Sequence, residues 1–303
     1  ELIWFFGFLV GALDPVRKLA NVSNLVQEAA SAADRVFALL QLEPEPRHGA
    51  KGLLLPRMRS SLEFQNVSFG YLDGEAVVKN IDLSIRHGEV AAMVGRTGCG
   101  KTTFLNTLSK LIPSTAGDIF IDGEVADPKK HHLAFVFQEP TCMPWRTVRE
   151  NVAYGMQVKH VAKVEMEQKL DQIMGMVGLA DCAGLYPNQI SASMLQRIAV
   201  ARAFAVNPDL LLMDEPYGQL DVKLRYYLED ELVRLWEQLK STVIFVTHNI
   251  EEAVYISERI LILSNKPAKI KAEVKVDLPR PRSLIDPRLV EIRKEVTELI
   301  RWW

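Results

Sequence analysis

From Ser61 onward, short apolar runs bounded by polar residues alternate with helix-like stretches. The runs read EVAAMV (89–94), LAFVFQ (133–138), DLLLMD (209–214), TVIFVT (242–247) and RILILS (259–264). Runs this short and uniformly apolar predict strands covered on both faces, hence a mostly parallel sheet with helices between the strands. Between Thr141 and Arg202 such runs stop and three-and-four spacing takes over, which predicts a helical insertion over about 141–205. Near the C-terminus, Asp286 caps, Pro287 takes the first helical position, and Leu289, Ile292, Val296, Leu299 and Trp303 form an apolar stripe. An amphipathic helix over 284–303 is expected, packed on its own domain or on a partner subunit.

The first 60 residues follow a different pattern. Residues 2–13, LIWFFGFLVGAL, carry no charge, yet the run is shorter than the roughly 20 residues of a membrane span. It also lacks the basic start and cleavage site of a signal peptide. A buried or interfacial helix and the cytoplasmic end of a truncated membrane helix both fit. Next come Val22, Leu25, Val26, Ala29, Ala33, Val36, Phe37 and Leu40, spaced as one apolar face of a helix. The apolar segment and this helix occupy 1–42, and a stretch rich in proline and glycine, 43–60, reads as a linker. Residues 61–283 then form the main domain.

Composition narrows the partners. The 303 residues are 48% hydrophobic and carry a net charge of −2, enough for one large or two small globular domains. Without a basic excess, nucleic acid is not expected as a partner. Cys99, Cys142 and Cys182 are odd in number and lack a metal-ligand rhythm, so reduced thiols are expected. The chain begins at Glu1 rather than Met, as a fragment or processed product would.

Chemistry enters at Gly95. After EVAAMV comes Gly95-Arg96-Thr97-Gly98-Cys99-Gly100-Lys101-Thr102-Thr103, a Walker A phosphate loop placed between a strand and a helix. Its glycines let backbone N–H groups curl around phosphate oxygens, Lys101 adds a point charge, and Thr102 is the expected Mg²⁺ ligand. The helix N-terminus and Lys101 are expected to favour the Cys99 thiolate. At the other strand end, DLLLMDEP places Asp214 to hold Mg²⁺ and Glu215, on an extended backbone and facing the other way, to orient water. His248, in VIFVTHN, follows another buried strand at the same sheet edge, where a γ-phosphate needs a donor. A helix start at ISASM (190–194) is capped by serine, the arrangement of an anion site.

With these motifs, residues 62–282 resemble the nucleotide-binding domain of ATP-binding-cassette (ABC) transporters. The resemblance implies an α/β fold: a P-loop NTPase (RecA-like) core with an antiparallel β subdomain and a helical insertion, here preceded by an N-terminal helix. It implies ATP and Mg²⁺ as cofactors and ATP hydrolysis, with Lys101, Glu215 and His248 as catalytic residues. Tyr71 matches the aromatic that stacks on adenine, Gln138 the glutamine that touches Mg²⁺, and Asp221 the loop that crosses to a second cassette. In such head-to-tail dimers Ser191, Ala192 and Ser193 would meet the nucleotide of the opposite subunit. Here the chain departs from the family, which has two glycines where Ala192 and Ser193 stand, and that puts hydrolytic competence in question. QEPTCMPWRTVRENVAYGM, LSNKPAKI and VDLPRPR look most like importer ATPases for nitrate, sulfonates or taurine. Pro144-Trp145-Arg146 falls where the family receives its transmembrane subunits. The segment 11–46 instead resembles the last membrane helix and linker of an ABC exporter. Expected, then, is an ATPase subunit at the cytoplasmic face of the plasma (inner) membrane, peripheral or held by a truncated membrane helix. A fused exporter half and a regulatory subunit with an impaired signature are the alternatives.

Overall fold

The computed structural model describes residues 57–71, 75–218, 220 and 222–301, together with scattered positions between Val22 and Phe37. The chain divides into two units, Glu1–Leu54 and Leu55–Trp303. In the first, the described positions between 22 and 37 are helical, and Val22, Val26 and Phe37 of the apolar stripe are exposed. The uncharged run over 2–13, most of the exporter-like segment and the linker up to residue 56 lie outside the described residues.

The second unit is mixed α/β. Strands β1 (Ser61–Gly70), β2 (Ala76–Arg86), β4 (Ala116–Ile121) and β5 (Glu124–Val125) form an antiparallel sheet in the order β2-β1-β4-β5. The other sheet runs β10-β9-β3-β8-β7-β6. Its members are β3 (Val90–Val94), β6 (Leu133–Val136), β7 (Leu210–Asp214), β8 (Thr242–Thr247), β9 (Arg259–Leu263) and β10 (Ile270–Lys275). All its pairings are parallel except β9 with β10. The five apolar runs are therefore β3, β6, β7, β8 and β9.

Burial on both faces explains why those runs do not alternate. Side chains of successive strand residues point to opposite faces. Ala91, Met93, Leu210, Leu212, Ile244 and Val246 accordingly enter a core shared with the antiparallel sheet and with Phe104, Leu105 and Leu108. Ala92, Val94, Leu211, Met213, Val243 and Phe245 enter a second core built with the helices on the other face.

The helices are α1 (Lys101–Leu108), α2 (Val148–Val158), α3 (Lys163–Met176), α4 (Ala192–Ala205), α5 (Val222–Leu239), α6 (Ile250–Ile256) and α7 (Pro287–Arg301). Helices α2, α3 and α4 occupy the segment expected to be helical, and α2 opens on a capping box between Thr147 and Glu150. Helix α7 packs on α6, β9 and β10 through Leu289 and Val296, and Arg293 pairs with Glu251 of α6. Trp303 lies outside the described residues.

Candidate functional site

The phosphate loop joins β3 to α1 at the C-terminal edge of the parallel sheet, where open α/β sheets bind ligands. Gly98 and Gly100 take φ of +79° and +115°, a region that suits glycine. A Cβ on Gly100 would also stand 3.1 Å from Val77 Cγ1 and 3.2 Å from the Val77 carbonyl oxygen. Lys101 is buried, and its Nζ donates to the carbonyl oxygens of Gly95 at 2.8 Å and Arg96 at 3.0 Å. These bonds hold the ammonium inside the loop and leave its third N–H for a phosphate oxygen.

On β7, which is separated from β3 by β8, the strand ends at Asp214. Thr102 hydrogen-bonds the Asp214 carboxylate, whose Oδ1 is buried without a partner. Burial pushes the Asp214 carboxyl above its ordinary range, against the opposing pull of Thr102 and Lys101. Glu215 does not continue the strand as expected. Its φ is +45°, a left-handed conformation that redirects the side chain, while its N–H still donates to the Val246 carbonyl at 2.9 Å. Its Oε2 receives Gln138 Nε2 at 3.3 Å and lies 3.1 Å from His248 Nδ1. Gln138, Glu215 and His248 thus meet in one place.

Those three side chains, the phosphate loop and Tyr71 line a cleft of about 560 Å³. Tyr71 is exposed, its ring set edge-on to Phe69 and its hydroxyl 3.4 Å from Thr103 Oγ1. A larger cavity, about 1320 Å³, opens among Arg86, Trp236, Arg259 and Arg280, but it contains none of the loop residues. Chemistry, not size, selects the smaller one. The donors at this edge fit a hard divalent cation such as Mg²⁺: Thr102 and Gln138 line the cleft and offer neutral oxygens, and Asp214, buried behind Thr102 and not part of the lining, has an orphan carboxylate oxygen.

Residues 78–218 match the family described as ABC transporter. Over 248 residues the chain is 38% identical to an uncharacterised ABC transporter ATP-binding protein of Methanocaldococcus jannaschii, covering 81% of this chain and 93% of that protein. The chain belongs to the ABC transporter ATP-binding family. It is 41% identical to an aliphatic sulfonates import ATP-binding protein of Bacillus cereus, over 73% of this chain and 87% of the relative. A nitrate import ATP-binding protein of Synechococcus elongatus is 34% identical over 74% of this chain and 84% of the relative. Among solved structures, an ATP-binding cassette dimer in a post-hydrolysis state, bound to ADP and Pi, superposes with a TM-score of 0.66. It is 31% identical and covers 72% of this chain and all of that one. The protein is accordingly a cassette ATPase.

Within the cassette, the signature segment stands apart from the cleft. Ser191 caps α4, its Oγ accepting the Met194 N–H at 3.3 Å, and neither it nor Ala192 nor Ser193 lines the cleft. Asp221 lies outside the described residues. Trp145 of the Pro-Trp-Arg segment is 73% exposed. The expectation of a Cys99 thiolate is corrected. Cys99 is buried, and burial pushes its thiol up more than Lys101 draws it down. Its neighbours show why: a Cβ on Gly95 would stand 3.0 Å from Cys99 Sγ, so the sulfur is folded inward under the loop. Two cleft residues escaped the sequence reading, Val77 and Lys266, the latter 3.3 Å from Glu75. Their contribution comes from the antiparallel sheet and the β9–β10 connection folding over the loop, which no local motif announces.

Proposed function

We propose that this cassette hydrolyses MgATP within a head-to-tail pair of subunits and powers import of a small anion, of the sulfonate or nitrate kind, through transmembrane subunits. The observation that carries the hydrolytic reading is the meeting of Gln138, Glu215 and His248 beside the phosphate loop. Substrate class rests on the sulfonate and nitrate relatives. The exposed Trp145 offers an aromatic anchor for a membrane subunit at the cytoplasmic face.

The adenine stacks on Tyr71, and the loop N–H groups with Lys101 cradle the phosphates. Thr102, Asp214 and Gln138 would hold Mg²⁺, which when bound neutralises phosphate charge. Glu215 accepts a proton from the attacking water and fixes its direction, and His248 donates to the γ-phosphate as charge moves onto it. Ser191 and the first N–H groups of α4 face the γ-phosphate held by the other subunit, and Asp221 belongs to the same seam.

A second reading, the regulatory subunit, is favoured by Ala192 and Ser193, whose side chains crowd an approach that glycines would leave open. Reconstitution with the membrane subunits that co-purify with the chain tests the main proposal. ATP hydrolysis stimulated by a sulfonate or by nitrate supports it. Stimulation by neither anion, in a complex that responds to another solute, contradicts the substrate class.

A further inference from the structure

Glu229 of α5 has no part in the site above, yet it is one of the most unusual side chains in the protein. It is 1% exposed, and both carboxylate oxygens are buried without a hydrogen-bond partner. A buried ionised carboxylate in that condition is far costlier than a neutral carboxylic acid. The groups acting on it come from three elements. Helix α5 itself supplies Arg225, Tyr226 and Asp230, and α6 supplies Glu251, Glu252 and Tyr255. The segment after β7 supplies Tyr217, whose hydroxyl is also buried and unpartnered.

Arg225 is the cation among them, and its nearer partner is Glu252. Arg225 NH1 lies 3.4 Å from Glu252 Oε1, and NH2 donates to the Leu220 carbonyl at 3.3 Å. Glu252 in turn receives Thr247 Oγ1 at 2.6 Å and Asn249 Nδ2 at 3.3 Å. Thr247 and Asn249 flank His248. A partly buried chain of contacts therefore runs from Leu220 through Arg225 and Glu252 to both neighbours of the histidine. One cation cannot serve two buried carboxylates equally, so one of them keeps a proton.

We propose that Glu229 is a positioning residue for His248: held protonated, it leaves Arg225 to Glu252, and its ionisation draws Arg225 away and loosens the segment that carries the histidine. Burial, followed by the charge of Glu252, pushes the Glu229 carboxyl up to about 8, so this ionisation falls just above neutrality. The inference rests on the assignment of His248 to the γ-phosphate.

Steady-state ATP hydrolysis by the full chain, measured from pH 7 to pH 9, tests it with the variants Glu229→Gln and His248→Ala alongside. One ionisation with a midpoint near 8 should lower wild-type kcat by about tenfold across that span, with KM for ATP little changed. Glutamine copies the protonated acid, so Glu229→Gln should lose this alkaline limb. A merely structural role would alter stability without moving the limb. The same limb in Glu229→Gln overturns the inference, whereas full turnover by His248→Ala overturns the assignment beneath it. Infrared titration of wild type against Glu229→Gln reads the group directly, because the Asp214 and Glu252 carboxyls are also pushed up by burial. A protonated-carboxyl band that survives at pH 7 and disappears near pH 8 is expected, and its absence at pH 7 contradicts the proposal.

Discussion

At Gly100 the chain turns with φ +115°, and a methyl group there would stand 3.1–3.2 Å from Val77, which would have to give by a few tenths of an ångström. Left-handed backbone costs an L-residue about 1–2 kcal/mol before any clash is counted. Gly100→Ala is therefore expected to lose at least that much stability and to weaken nucleotide binding, checked by urea denaturation and by titration with a fluorescent ATP analogue. One residue earlier, Cys99 offers a different test. Buried and with its thiol pushed up, it should react with iodoacetamide roughly tenfold or more slowly in the folded protein than in urea. The half-buried Cys142 should label first. Mass spectrometry of timed digests resolves the order, and rapid labelling of Cys99 in the folded protein would contradict its placement. Glu215 shows the limit of local reading. Its identity was legible from DLLLMDEP, but its left-handed turn was not, because β8 fixes it through the Val246 carbonyl, more than thirty residues away.

Elements were legible where their burial follows from local pattern. The five apolar runs became strands because a sheet covered on both faces leaves no polar side to alternate with. Helix α4 was legible from its serine cap, and α7 from its Asp-Pro start. Helix α5 hides what matters most about it. Glu229 is followed directly by Asp230 and Glu231, yet it is 1% exposed, and no local pattern marks it as buried. Its protonation has a measurable consequence. Below the ordinary Glu value of 4.5 both folded and unfolded chains hold the proton; between there and about 8 only the folded chain does. Unfolding then releases a proton, so this group's contribution to stability falls as pH rises, by about 1.4 kcal/mol per unit within the window. Relative to wild type, Glu229→Gln should gain stability between pH 5 and pH 8, read from denaturant midpoints. At α4, Ala192→Gly with Ser193→Gly weakens the first helical turn by about 0.5–1 kcal/mol per glycine. If the native side chains hold the loop off the opposing γ-phosphate, the same change should nonetheless raise turnover by about tenfold or more, since a recovered charge-assisted hydrogen bond contributes about 1.5–3 kcal/mol. An unchanged or lower rate means that the loop tolerates its side chains.

For the whole molecule, the architecture brings five separate stretches of chain to one sheet edge: the phosphate loop, Tyr71, Gln138, Glu215 and His248. The signature start at Ser191 remains outside that cleft, as the proposed two-subunit site requires. Among the described residues no helix is long and apolar enough to cross a membrane. All of these roles converge on Glu215. Glutamine in its place keeps the shape and the contacts to Gln138 and His248 but removes the carboxylate proposed to accept the proton from water. The most direct test compares single-turnover hydrolysis of MgATP by wild type and Glu215→Gln, with bound ATP quantified in the same samples. ATP should remain bound while hydrolysis falls by two to four orders of magnitude, about 10²–10⁴. Hydrolysis at the wild-type rate by the glutamine variant would contradict the account.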